Sequence, residues 1–172
     1  FGTSYKNIPI SYSEEVSPLG TGGAILQSFA HLKTDKPTLI INGDTFFDIN
    51  LNQFGNAFSE SDWDLYIALF ETQESGRYGK IVLNEFNEIK NRFSEKANKG
   101  DRASGGFFMM NKSIRNLFRR NFKSFSFEED FLPEICNNGA RIGGMKFDTH
   151  FVDIGIPEDY IKFKNLALKF TK

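Results

Sequence analysis

Apolar residues along this chain follow two rhythms, and the change from one to the other marks the elements. Ile8-Pro9-Ile10-Ser11-Tyr12 alternates apolar and polar, which predicts a strand. A glycine-rich segment, Pro18-Leu19-Gly20-Thr21-Gly22-Gly23-Ala24, then opens a helix. Ala24, Ile25, Phe29 and Leu32 share one face of it at helical spacing, and Lys36-Pro37 is the predicted stop. Thr38-Leu39-Ile40-Ile41 is short and continuously apolar, the pattern of a strand buried on both faces of a parallel sheet. Asp64 to Leu69 predicts another strand. Lys80 to Leu83 and Glu88 to Lys90 flank a turn at Asn84 to Asn87 and predict a hairpin.

The second half alternates shorter pieces. Glu95 to Asp101 is polar and predicts a loop; Gly105 to Met110 returns to strand character. Lys112 to Arg120 predicts a helix with Ile114, Leu117 and Phe118 inward. Ser126 and Glu129 form a capping box for the next helix, which Gly139 closes. Strands are expected near Arg141 to Phe147 and Phe151 to Ile154. A last helix starts at Pro157 and is expected to bury Tyr160, Phe163, Ala167 and Phe170. The sum is one mixed α/β domain over residues 1–172, βαβ-like at first and then a meander of strands with inserted helices.

Composition narrows the function classes. A length of 172 residues, 40% hydrophobic and 25% charged, suits one soluble domain with a sizeable core. The formal net charge of −1 offers no general attraction to nucleic acid or to an anionic membrane. No apolar run approaches the roughly 20 residues of a membrane span. The lone cysteine, Cys136, excludes an internal disulfide framework and fits a reducing, cytoplasmic setting as a buried thiol. The 20 phenylalanines are read mainly as core.

The candidate chemistry begins at the glycines. Three in four residues, Gly20, Gly22 and Gly23, fit either close backbone approach to a ligand, with N–H groups free at a helix N-terminus, or a plain tight turn. Asn42-Gly43-Asp44 ends the Thr38–Ile41 strand, where an open α/β sheet places its ligands. A carboxylate there can hold Mg²⁺ beside phosphate, or simply make a turn. Asp48 reads as a cap for the next segment of the chain. Asp153 closes a strand just before Ile154-Gly155-Ile156-Pro157-Glu158-Asp159-Tyr160, outside the helix start that explains its neighbours. Arg77-Tyr78-Gly79-Lys80 and Glu95-Lys96 suit a sugar and its phosphate, with solvated surface as the plainer reading. His31 and His150 have no partners that support a zinc site, and no nucleophile motif is present.

Taken in order from Gly20 to Tyr160, these segments resemble the sugar-1-phosphate nucleotidyltransferase family, most of all its GDP-sugar branch of heptose and mannose 1-phosphate guanylyltransferases. The resemblance implies an α/β fold with a Rossmann-like mixed sheet of the nucleotidyltransferase, GT-A-like type. It implies that Gly20, Thr21 and Gly22 face the nucleobase, and that Gly79, Glu95, Lys96 and Ser104 place the sugar phosphate. Asp44 and Asp153 would be the catalytic metal ligands, with Mg²⁺ as cofactor. Ser104 stands where the family usually has asparagine, which shortens a polar contact. Ile156 replaces a threonine, which loses an N-cap at a cost of about 1 kcal/mol. The family's triphosphate-binding loop does not occur in this sequence, so a missing N-terminal βα unit is expected and the 172 residues alone are expected to turn over slowly or not at all.

The implied substrates are a nucleoside triphosphate and a sugar 1-phosphate, with neither nucleic acid nor membrane as partner; a homo-oligomer is compatible with the resemblance. Two other classes remain open on residues alone. One is a non-catalytic module binding nucleotide or sugar phosphate. The other is a metal-dependent glycosyltransferase, which would normally carry Asp-x-Asp where this chain has Asn42-Gly43-Asp44.

Overall fold

The centre of the molecule is β5, Leu65–Glu71, whose residues from Leu65 to Phe70 are all buried. Its side chains alternate between two cores, as the period of two in a strand requires. Leu65, Ile67 and Leu69 enter one apolar cluster with Phe108, Phe127 and Leu132. Tyr66, Ala68 and Phe70 enter another with Phe47, Phe54 and Phe107. One strand therefore organises both faces of the sheet. The computed structural model describes residues 2–89, 95–118 and 124–168. The expected Lys90, Arg120 and Phe170 positions lie outside them.

In chain order the elements are β1 Ser4–Tyr5, β2 Ile8–Pro9, α1 Gly20–Ser28, β3 Thr38–Ile41, β4 Thr45–Phe47 and α2 Leu51–Ser59. After β5 come β6 Arg102–Met110, α3 Lys112–Arg115, α4 Leu132–Asn137, β7 Ile142–Lys146, β8 Phe151–Asp153 and α5 Pro157–Ala167. The main sheet runs β3-β6-β5-β7. Only β5 and β7 are parallel; β6 is antiparallel to both its neighbours. The expected mixed sheet is present.

Two expectations fail on topology. The N-terminal part is not a βαβ unit, because among the described residues β1 and β2 pair only with each other in a separate exposed ribbon. And β3 is not a doubly buried parallel strand. Among the described residues it lies at the sheet edge, antiparallel to β6, with Leu39 and Ile41 exposed on alternate positions. A continuous apolar run reports affinity for a sheet, not the number of covered faces.

Aromatic packing accounts for much of the phenylalanine. Phe47 makes edge-on contacts with Phe70, Phe107, Phe147 and Phe151 at 5.5–6.3 Å between centroids. Phe118, Phe127 and Phe131 stack on the opposite face. Each such pair contributes about 0.5–1.5 kcal/mol beyond its area burial. Helix α2 is an addition to the expected elements, although Phe54 and Phe58 stand four apart and both are buried. Asn50, not Asp48, caps it, accepting from the Gln53 N–H at 3.0 Å.

Other element ends move for local reasons. Helix α1 stops at Ser28 and tightens into a 3₁₀ turn over Phe29–His31, because Leu32 is already extended. The predicted 80–90 hairpin survives as isolated bridges, with Leu83 opposite Ile89. Ser126 does cap, accepting from the Glu129 N–H at 3.0 Å. The return bond goes to Asp130 Oδ2, which accepts from the Ser126 N–H at 2.7 Å, and the first turn is a π-turn over Phe127–Phe131. The π-turn brings Asp130 within reach of the Ser126 N–H. Helix α5 buries Phe163 partly, against Phe46, yet leaves Tyr160 exposed and buries Asp159 instead.

Candidate functional site

A bulge in β6 shapes the site. The β5–β6 register shifts between Ile67 and Leu69, so Gly105 and Gly106 loop out of the ladder. Gly106 has φ +75°, and a Cβ there would lie 2.8 Å from Asn42 Nδ2. The bulge thereby seats the Asn42 side chain, and the Asn42 N–H donates to the Gly106 carbonyl at 2.9 Å. It also lets the N-terminal end of β6, with Ser104, turn toward a separate cleft.

The turn Asn42-Gly43-Asp44 links β3 to β4, and β4 pairs antiparallel with β8, setting Thr45 opposite Asp153. The Ile154 N–H donates to the Asp44 carbonyl at 2.9 Å. Two aspartates distant in sequence thus meet at Gly155. A Cβ on Gly155 would lie 3.1 Å from Asp153 Oδ1 and 3.4 Å from Asp44 Oδ2. The Gly155 N–H donates to Asp153 Oδ1 at 3.1 Å.

These two carboxylates differ. Asp44 is exposed, and among the described residues its carboxylate has no hydrogen-bond or ion-pair partner. Asp153 is held by Arg77, whose Nη2 donates to Oδ2 at 2.9 Å. Arg77 also binds Asp159 at 2.6 Å and Glu74 at 3.1 Å. Burial opposes the charge on Arg77, but the three carboxylates outweigh it and raise its pKa. Asp159 is 5% exposed and its carboxyl is held below the usual range, first by Lys162 and then by Arg77. Tyr78 lies beneath the guanidinium at 5.0 Å, and burial pushes its hydroxyl up to about 12.

The donor set suits a hard cation. Mg²⁺ typically takes one or two carboxylates and completes its octahedron with water and phosphate oxygens. A free carboxylate beside a fixed one, on an open turn, leaves those positions available.

Packing alone demands two of the glycines in the segment. A Cβ on Gly20 would lie 2.5 Å from the Phe125 carbonyl oxygen, and one on Gly22 would lie 2.2 Å from the Phe125 ring. Both are therefore needed for packing, whatever binds nearby. The Gly22 N–H is not free: it donates to the Phe125 carbonyl at 3.0 Å. The Phe127 N–H donates to Thr21 Oγ1 at 2.9 Å. Thr21 and Asn42 line a hollow of about 170 Å³ that reaches Ser126 and Glu128.

The residues that the resemblance gives to the sugar phosphate also converge in part. Gly79 bridges to Lys96, the Lys80 N–H donates to the Glu95 carbonyl at 2.7 Å, and the Ala97 N–H donates to the Tyr78 carbonyl at 2.9 Å. A cavity of about 290 Å³ is walled by Gly79, Ile81, Lys96, Ser104, Glu128 and Leu132 among others. Among the described residues its wall does not include Glu95, whose backbone rather than side chain joins the bridge. Glu128 is a site residue that the sequence pattern does not single out. Its place between the two halves of the Ser126–Asp130 cap hides it.

Residues 2–169 match the family model described as nucleotidyl transferase. The chain belongs to the nucleotidyl transferase family. Among the relatives of this nucleotidyl transferase is a D-glycero-alpha-D-manno-heptose 1-phosphate guanylyltransferase of Aneurinibacillus thermoaerophilus. It is 38% identical over 163 residues, which is 94% of this chain and 69% of the relative. A mannose-1-phosphate guanyltransferase of Aspergillus oryzae is 27% identical, covering 90% of this chain and 43% of that protein. The crystal structure of HddC from Yersinia pseudotuberculosis complexed with GMP-PN superposes with a TM-score of 0.72 at 29% identity, covering 89% of this chain and 64% of that one. This nucleotidyl transferase chain thus spans 64% of the HddC chain and under half of the fungal enzyme. Among the described residues, no helix is long and apolar enough to cross a membrane.

Proposed function

We propose that this chain carries the site for transfer of GMP from GTP to a sugar 1-phosphate of the manno-heptose or mannose type, releasing pyrophosphate. The observation that carries the reading is the convergence of Asp44 and Asp153 at Gly155, beside a cleft that joins Gly79, Lys96 and Ser104. Relatives with guanylyltransferase names, and an HddC structure complexed with GMP-PN, support guanosine as the nucleoside.

In this reaction a phosphate oxygen of the sugar 1-phosphate attacks the α-phosphorus of GTP. The bond from that phosphorus to the oxygen bridging to the β-phosphorus breaks, and pyrophosphate leaves with the electron pair. The attacking oxygen is already anionic, so no side chain need remove a proton. The work left is alignment and charge neutralisation. Asp44 and Asp153 would hold Mg²⁺, which when bound neutralises the crowded phosphates. Arg77 keeps Asp153 in one orientation. Lys96 meets the sugar phosphate, Gly79 and Ser104 bound the sugar, and Thr21 and Asn42 bound the nucleoside.

The test is pyrophosphate release and GDP-sugar formation by the full protein, supplied with GTP, Mg²⁺ and either D-glycero-α-D-manno-heptose 1-phosphate or α-D-mannose 1-phosphate. Turnover is expected with at least one pair. No turnover with either sugar, in a folded protein that binds GTP, would favour a non-catalytic binding module.

A further inference from the structure

Glu128 lies where the two sides of the cleft meet. It lines both the cavity that holds Gly79, Lys96 and Ser104 and the hollow that holds Thr21 and Asn42. It is half-buried and belongs to the π-turn Phe127–Phe131. That turn is clamped to the glycine segment by three hydrogen bonds. The Phe125 N–H donates to the Leu19 carbonyl at 3.0 Å, the Gly22 N–H to the Phe125 carbonyl at 3.0 Å, and the Phe127 N–H to Thr21 Oγ1 at 2.9 Å. Ser126 caps it from below through the Glu129 N–H. The backbone that carries Glu128 is therefore fixed relative to the nucleoside side.

Its side chain is placed at a cost. Burial raises the Glu128 carboxyl pKa; the hydrogen bond from Ser104 opposes that rise, and nearby Glu129 adds to it. Ser104 Oγ also accepts from the Gly106 N–H at 3.2 Å, so its hydroxyl is tied to the β6 bulge. A carboxylate with four acceptor positions and one hydroxyl partner keeps most of its capacity unused. It faces a cavity with room for a sugar and with a lysine on its wall.

We propose that Glu128 is a substrate-contacting residue that sets specificity for the sugar 1-phosphate, accepting a hydrogen bond from one of its ring hydroxyls. This rests on the function proposed above. Glu128 offers the acceptor beside Ser104, while Lys96 in the same cavity takes the phosphate. A site built to hydrogen-bond a hydroxyl rejects the analogue lacking it, because its own group is then left unpaired.

The experiment compares the wild type with Glu128→Gln and Glu128→Asp in the full protein. Steady-state constants are measured for GTP and for whichever of the two sugar 1-phosphates the wild type accepts. Monodeoxy analogues of that sugar phosphate are then assayed, with the melting temperature of each protein. Loss of one hydrogen bond to a charged group predicts a fall of about tenfold or more in kcat/KM for the sugar phosphate in E128Q. The KM for GTP should stay within about twofold. One monodeoxy sugar should be handled equally by wild type and E128Q, since the hydroxyl that Glu128 meets is gone. Unchanged sugar kinetics in E128Q would overturn the assignment. So would an equal loss toward every deoxy analogue, or a fall in melting temperature that weakens GTP and sugar alike, either of which gives Glu128 a packing role. Absence of turnover in the wild type would instead sink the proposed function itself.

Discussion

Glu128 lines the cleft and Asp159 joins the Arg77 network, and the protein treats these two carboxylates in opposite ways. Asp159, in the acidic corner, is more deeply covered, yet its pKa falls because Lys162 and Arg77 supply cations. Glu128, in the sugar cleft, has one hydroxyl partner among the described residues, and burial raises its pKa. The corner is cross-linked in advance: Arg77 joins Asp153, Asp159 and Glu74 into one network. The cleft is left under-satisfied. That contrast separates a scaffold that holds a ligand-bearing side chain still from a surface that waits for substrate.

Removal of the two aspartates at Gly155 has the largest expected effect. Asp44→Ala and Asp153→Ala should each lower GDP-sugar formation roughly a hundred- to a thousandfold, because charge neutralisation at the phosphates is worth several kcal/mol. They should differ in stability. The Asp44 carboxylate has no partner among the described residues, so its loss should leave the melting temperature unchanged. Loss of Asp153 also removes a bond to Arg77 and should lower it. Binding of Mn²⁺ in the presence of GTP, tracked by paramagnetic resonance, gives a readout besides turnover and should weaken in both.

Arg77→Met comes next. It leaves Asp159 buried with Lys162 alone and frees Asp153 to rotate. Breaking a buried pair costs about 3 kcal/mol, somewhat less here because the guanidinium is partly exposed. Thermal unfolding checks that figure. Activity should fall with it, by roughly 10- to 100-fold as for groups that orient a ligand side chain. An Arg77→Met protein as stable and active as wild type would remove the corner's scaffold role.

Gly22→Ala isolates packing from ligand binding. The added methyl has no room against the Phe125 ring, and overpacking costs about 1–3 kcal/mol. Denaturant unfolding should register that loss. A fully stable Gly22→Ala protein with weakened GTP binding would return the segment to the ligand-facing role expected from sequence.

The smallest effect is in pH. Asp159 has a depressed pKa, so its contribution to stability is present above the ordinary aspartate range and is lost as pH falls through its folded value. Asp159→Asn should flatten the acid limb of the stability curve. Glu128 has a raised pKa, so its contribution is present below the ordinary glutamate range and is lost as pH rises through the folded value. E128Q should therefore melt at or slightly above wild type at neutral pH, while its sugar kinetics fail. Thermal melts across the range from about pH 3 to about pH 8 in both variants check the two signs.

How far each feature is legible in the chain depends on how local its cause is. Asp44 and Asp153 are legible because each ends a short strand beside a glycine. Their meeting needs the β4–β8 pairing, which joins distant segments. Gly79 is legible as part of a turn and Lys96 as part of a loop edge; the bridge that brings them together is not, because it joins segments distant in the chain. The Arg77 network is not legible, since ion pairs across the fold leave no periodic trace. Glu128 is masked by its neighbours, whose capping pattern explains the segment without it. The edge position of β3 departs from expectation because Thr38–Ile41 has the composition of a central strand, and burial is set by what packs on it. Helical spacing places Tyr160 inward, but the ion pairs of Asp159 decide which side of α5 docks.

In the proposed function, Asp44 and Asp153 act together on the phosphates of GTP. The most direct test gives the full protein GTP radiolabelled at the α-phosphorus, Mg²⁺ and the accepted sugar 1-phosphate, and tracks the label into GDP-sugar. Wild type should transfer the label, and Asp44→Ala, folded and equally stable, should do so at least about a hundredfold more slowly. Equal transfer by Asp44→Ala would contradict the account.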